Sequence, residues 1–197
     1  MNKELSTPQT WFTSQTVATW LRSAGVVLAG TALVAACAHV ALPLWFTPVP
    51  LTLQPFAVLL LGLLLTPRLA GATLAAYLAE GALGLPVFAP GPDLVGGPAH
   101  LFGPTGGYLL AYPAAAIIIS LLWRHSRRGF AAAIMSAAVG DLVILICGAS
   151  WLASLTHLSA GKALSLAILP FLPGEALKVV AAAASVSGLR RLKRHRE

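Results

Sequence analysis

"ALSLAILPFLPGEALKVVAAAASVSG", residues 163–188, is an apolar run of 26 residues, ~39 Å long as a straight helix at 1.5 Å per residue and so able to cross a bilayer core of about 30 Å. It nevertheless carries Glu175 and Lys178, together with Pro170 and Pro173. Each proline removes an N–H donor and should break the helix. If Arg190 marks the cytoplasmic edge, Lys178 lies ~18 Å inside the hydrocarbon and Glu175 about one turn further out. A charge near the bilayer centre costs about 2.5–3.5 kcal/mol, so such residues face a partner or a cavity and mark function. Three positions apart, the two share one helix face. One reading is an ion pair that only pins the helix. The other is a binding site, favoured by the adjacent Pro173-Gly174, which is expected to end one helical run and leave backbone amides free for a cavity.

The rest of the chain has the same character. It is 57% hydrophobic and 10% charged over 197 residues, too apolar for an ordinary soluble domain. The expectation is an all-α, polytopic membrane protein of six transmembrane helices. The spans run from Leu21 to Phe46, Phe56 to Thr66, Ala70 to Phe88, Tyr108 to Trp123, Phe130 to Leu152 and Ala163 to Gly188. This predicts a short cytoplasmic segment over 1–18, a single membrane domain over 19–190 and a basic cytoplasmic tail over 191–197. The opening residues lack the order of a cleaved signal peptide, so the first span is expected to be retained. "FTPVPLTLQPF" (46–56) cannot be a regular helix, and non-helical backbone near membrane depth must line a buried or watery cavity. "APGPDLVGGPAHLFGPTGG" (89–107) holds four prolines and six glycines. It is long enough to act as a lid or binding loop.

The net charge of +7 does not point to nucleic acid, because the basic residues gather at loop ends. With the N-terminus inside, eleven of the thirteen Lys and Arg residues fall on the cytoplasmic side, and only Lys162 and Lys178 do not. This is the pattern of six spans with both termini cytoplasmic in the cell membrane.

Further polar groups fall inside spans. Asp141 lies midway along the fifth, and Glu80 lies in the outer half of the third with Tyr77 one turn before it; each is either a ligand acceptor or a counter-charge to Lys178. Gln54 lies in the proline-rich segment. His39 and His157 read as interfacial residues, His100 falls in the outer loop, where a lid contact is open to it but nothing further supports one, and His125 and His195 belong to basic runs. Cys37 and Cys147 read as small core residues, with no metal-ligand spacing. The chain has no phosphate-binding loop and no HExxH or GxSxG motif. It is expected to be neither an ATPase nor an enzyme, and to need no metal or cofactor.

The blocks "TPVPLTLQPFAVLLLGLLLTPRLA", "AAYLAEGALGLPVFA", "GPTGGYLLAYPAA", "CGASWLA" and "LPFLPGEALKVVAAA" occur in the order and spacing of the BioY family, the biotin-specific capture subunits of energy-coupling factor transporters. The chain resembles that family over about residues 20–192. The resemblance implies a six-helix bundle that binds biotin on its outer side. It also implies separate partners, a transmembrane coupling subunit and two ABC-type ATPases, alongside membrane lipid, with self-association left open. Biotin offers two ureido N–H donors and one carbonyl, an apolar body and a carboxylate tail. Such a ligand calls for acceptors, a donor, an apolar wall and a cation. Lys178 is expected to take the carboxylate. Glu175 would accept from the ureido N–H groups or hold Lys178, Gln54 would bond the ureido ring, and Thr105, Gly106, Gly107 and Tyr108 would give close backbone approach and an aromatic wall. The Ala32-x-x-x-Ala36 spacing resembles the contact made with the coupling subunit, against ordinary internal helix packing. Two positions depart from the family pattern. Glu175 stands where an aspartate is usual, and Asp141 follows Gly140 where many relatives have asparagine. The alternatives are capture of another small vitamin and a membrane scaffold whose Glu/Lys pair is only structural.

Overall fold

The computed structural model describes residues 14–90 and 97–194. Most of the expected 1–18 segment, residues 91–96 of the expected outer loop and the last three residues of the expected tail lie outside the described residues. The elements follow the order α1 (Ser14–His39), β1 (Ala41–Leu42), β2 (Leu51–Thr52), α2 (Gln54–Leu64), α3 (Pro67–Ala82), α4 (Pro98–Leu101), α5 (Gly106–His125), α6 (Phe130–Thr156), α7 (Ala160–Ala167) and α8 (Leu172–Arg194).

Four helices, α1, α5, α6 and α8, are long and apolar enough to cross a membrane. α2 and α3 have 11 and 16 residues, ~16 and ~24 Å, less than a full hydrocarbon core each. Their boundary is set locally. Pro67 suits the first helical position, and the Thr66 hydroxyl accepts from the Leu69 amide at 3.4 Å as the N-cap of α3.

Three sequence expectations need correction. The first apolar run does not stay helical to Phe46: α1 ends at His39, and the chain forms an antiparallel ribbon pairing Ala41 with Thr52 and Leu42 with Leu51. The fold is therefore almost, not wholly, helical. The last run is broken as expected at Pro170, over residues 168–171 between α7 and α8, but not at Pro173. Pro173 and Gly174 begin α8 rather than ending a run, because the first turn of a helix has no intrahelical use for a proline N–H. In consequence the Glu175 amide is not free; it donates to the Phe171 carbonyl at 2.9 Å.

The core forms two layers along the bundle. One, around Tyr77, Leu74, Ile144 and Leu152, lies at the ribbon end; the other, around Leu59, Ile119, Trp123 and Ala183, lies towards the arginines. Close helix approach replaces large side chains at the α5–α6 seam. A Cβ on Gly107 would stand 2.2 Å from Trp151 Cβ, and one on Gly148 would stand 2.3 Å from the Tyr108 ring, separations that real atoms do not adopt. Large apolar side chains such as Trp20, Leu177 and Leu192 point outward, as lipid-facing residues do.

Candidate functional site

At the ribbon end, a cavity of about 40 Å³ is enclosed by Thr52 and Gln54, by His100 and Thr105, by Tyr108 and Tyr112 of α5, by Leu145 of α6, and by Phe171 and Glu175. Five stretches of chain thus converge on it. The Gln54 amide nitrogen donates to the Tyr77 hydroxyl at 2.6 Å, and that hydroxyl donates to the Val87 carbonyl at 2.8 Å. Thr52 donates to the Gln54 side-chain oxygen at 3.3 Å. Tyr77 is therefore a support behind Gln54 rather than part of the wall. Tyr108 donates to the Ala167 carbonyl at 2.7 Å, which ties α5 to the last turn of α7 just before the chain breaks.

The charged floor is compact. Lys178 Nζ lies 2.7 Å from Glu175 Oε1, and both residues are buried. It is the only ion pair among the described residues. Asp141, reaching in from α6, is also buried and interacts electrostatically with both. Asp141 thus lies within electrostatic range of the pair. The second Glu175 oxygen, one Asp141 oxygen and the Thr105 hydroxyl are buried without a hydrogen-bond partner. Such groups cost about 1–3 kcal/mol each when left unpaired, and Glu175 and Thr105 both border the cavity.

Lys178 faces another space. A groove of about 630 Å³ opens on the bundle flank between the ribbon, Phe56 of α2, and Gly174, Leu177 and Lys178 of α8. Thr52 borders both spaces. The Glu175–Lys178 pair and Thr52 therefore form the partition between an enclosed cavity and an open apolar groove.

Of the sequence candidates, the structure brings Gln54, Thr105, Tyr108 and Glu175 to the cavity wall, with Lys178 and Asp141 joined to them through charge and Tyr77 through Gln54. Gly107 is not at the wall; its missing side chain admits Trp151 and the Cys147 carbonyl. Glu80 is half-buried near the end of α3 and away from the cavity. Ala32 and Ala36 are exposed on α1, so their spacing does not serve packing within this chain; α1 turns Gly30, Val34 and Cys37 inward instead. Sequence reasoning passed over Tyr112 and offered His100 only a contact of the outer loop. Tyr112 follows Tyr108 by one helical turn in "GPTGGYLLAYPAA", a spacing that placed it on the same face. His100 is buried and stacks on Phe88 with ring centroids 4.7 Å apart, which no local pattern in its loop announces.

The profile of the BioY family matches residues 5–195. The chain belongs to the BioY family. The Biotin transporter BioY of Thermotoga maritima is 36% identical over 163 residues, covering 83% of this chain and 92% of that protein. A probable biotin transporter BioY of Pyrococcus horikoshii is 42% identical over 135 residues, 68% of this chain and 76% of that one. The crystal structure of an S-component for biotin from an ECF-type ABC transporter superposes with a TM-score of 0.80 at 25% identity, covering 91% of this chain and 95% of that chain. With four apolar helices of spanning length, this BioY chain is a multi-pass protein of the cell membrane.

Proposed function

We propose that this chain captures biotin for import across the cell membrane, as the substrate-binding subunit of an energy-coupling factor transporter. Named biotin transporters and a biotin S-component of the same fold support the activity. Energy would come from a transmembrane coupling subunit and two ABC-type ATPases. Ala32 and Ala36, small and exposed on α1, suit the close helix approach of that coupling subunit. On this reading Ala36→Leu leaves biotin binding intact and abolishes co-purification with the coupling subunit. The finer topology we propose is six passes with both termini cytoplasmic, α2 and α3 acting as two short passes inside the ring of longer helices. Membership in a family of transporters points away from catalysis by this chain.

The observation that carries the site assignment is the buried Lys178–Glu175 pair whose second carboxylate oxygen is unpaired at the cavity. Lys178 takes the biotin carboxylate, while Glu175 and Thr105 take ureido N–H groups and Gln54 offers both a donor and an acceptor. Tyr108, Tyr112 and Phe171 form the apolar wall. A cavity of about 40 Å³ holds about one water and is far below the roughly 300–1,000 Å³ of ligand sites. Binding therefore requires the partition to yield, with Thr52 of the ribbon moving and Lys178 turning from Glu175 to the ligand, so that cavity and groove merge. Calorimetry with biotin, and with thiamine and riboflavin as comparators, tests this on the purified full chain. Lys178→Ala is expected to cost about 2–5 kcal/mol of biotin affinity, the loss found when one partner of a buried charge pair is removed. Glu175→Gln, which leaves Lys178 within electrostatic range of Asp141, provides a second folded variant and is expected to bind more weakly than the parent. Unchanged biotin affinity in both variants would remove the site.

A further inference from the structure

The end of the bundle opposite the biotin site holds a second polar concavity. Arg127, Arg128, Gly129 and Phe130 on one side, and Ser187, Arg190 and Arg191 on the other, enclose a space of about 270 Å³ where the loop before α6 meets the end of α8. Four arginines line it. Arg190 lies over the Trp123 ring at 5.4 Å and donates to the Arg128 carbonyl, while Arg128 itself sits in the left-handed backbone region at φ 53°. The Arg190 contact thus fastens α8 to the α5–α6 turn and holds the arginines together.

Among the described residues no carboxylate balances them. Among the described residues the acids are Glu80, Asp141 and Glu175. Asp141 lies ~18 Å along α6 from Gly129, and Glu175 lies ~22 Å along α8 from Arg190. The wall also includes the N-terminus of α6, whose Gly129 cap makes no side-chain hydrogen bond and whose first amides have no intrahelical acceptor. Helix dipole and arginines therefore favour the same sign of guest. The surrounding surface is apolar, with Phe130, Leu189 and Leu192 exposed, as at a membrane boundary.

We propose that this concavity binds the phosphate of an anionic phospholipid, such as phosphatidylglycerol, with the acyl chains lying along Phe130 and Leu189. The space equals about nine water volumes, ample for a phosphodiester and its glycerol. Basic pockets between membrane helices recognise such headgroups through charge, each arginine near an anionic surface contributing about fivefold in binding. The inference needs only the membrane location and is independent of the biotin assignment.

Native mass spectrometry of the detergent-purified full chain, titrated with dioleoyl phosphatidylglycerol or dioleoyl phosphatidylcholine, tests it. The parent should retain the anionic lipid at least about fivefold better. The Arg127→Gln/Arg191→Gln variant alters two exposed side chains and should reduce the preference at least about fivefold. Arg22→Gln/Arg68→Gln, basic positions outside the concavity, should keep the preference. Equal retention by the parent, an undiminished preference in the first variant, or an equal reduction in the second would each overturn the proposal. So would displacement of the lipid by inorganic phosphate, which would assign the pocket to a free anion. Biotin calorimetry on the same samples shows that the variants are folded, and a parent that binds lipid but not biotin would count against the biotin reading alone.

Discussion

The two ends of α8 handle charge in opposite ways. Near its start, Lys178 is buried, 2.7 Å from Glu175 and within electrostatic reach of Asp141. Near its end, Arg190 and Arg191 stand with Arg127 and Arg128 and no described acid. Depth explains the contrast. Inside hydrocarbon a charge must bring its own counter-charge and hydrogen bonds, or its desolvation exceeds what the fold can bear. At the rim, water and headgroups supply the balance. The same helix thus carries charge compensated within the chain at one end and charge left for outside partners at the other.

The largest expected effect breaks the compensated end. The floor has two acids for one cation, so the substitutions are not symmetrical. Lys178→Met leaves Glu175 and Asp141 facing each other without a cation and is expected to lower stability by about 3–5 kcal/mol, as removal of one partner from a buried pair does. Glu175→Gln keeps a hydrogen-bonding side chain and leaves Lys178 within electrostatic range of Asp141; the expected loss is about 1–3 kcal/mol. Thermal unfolding of the purified variants measures the order, and a Glu175→Gln variant less stable than Lys178→Met would show that Asp141 does not share the lysine.

A smaller effect is expected one layer away. Tyr108 joins the cavity wall to the α7–α8 break by its bond to the Ala167 carbonyl. Tyr108→Phe keeps the ring against Gly148 and strands that buried carbonyl, for an expected loss of about 1–2 kcal/mol in unfolding. The loss of biotin affinity should be less than that of Lys178→Ala, because the hydroxyl positions the wall rather than meeting the ligand's charge. Equal losses in the two variants would mean that the break itself, not the cation, governs binding.

The contrast between the two ends also marks what the sequence could show. Glu175 and Lys178 were legible because charge inside an apolar run is costly and three-residue spacing fixes a common face. The arginine side was legible because basic residues recur at alternate turns between spans. Gln54 was marked by its proline-rich surroundings, where a cavity-lining backbone was required. What stayed hidden depends on contacts distant in sequence. The ribbon pairs Ala41 with Thr52, although "ALPLWFTPVPLT" offers no alternation to reveal it, and His100 owes its burial to Phe88 and the ends of other elements. Pro173 was misread for a local reason: the same residue stops a helix from within or starts one at its first turn, and only the hydrogen bond from Glu175 to Phe171 decides which.

The smallest expected effect belongs to the uncompensated end. Arg191 is exposed and has no acidic neighbour among the described residues, so Arg191→Gln removes a repulsion from three other arginines as well as a favourable field at the C-terminal end of α8. The two terms oppose each other, each a few tenths of a kcal/mol for exposed charges. The unfolding free energy should therefore change by less than about 0.5 kcal/mol, and the sign should turn favourable at low ionic strength, where unscreened repulsion is strongest. Unfolding of Arg191→Gln and the parent at low and high salt in neutral detergent measures it. A loss comparable to that of Lys178→Met would mean that this arginine is compensated by a group of the chain after all, and the two ends of α8 would then follow the same rule.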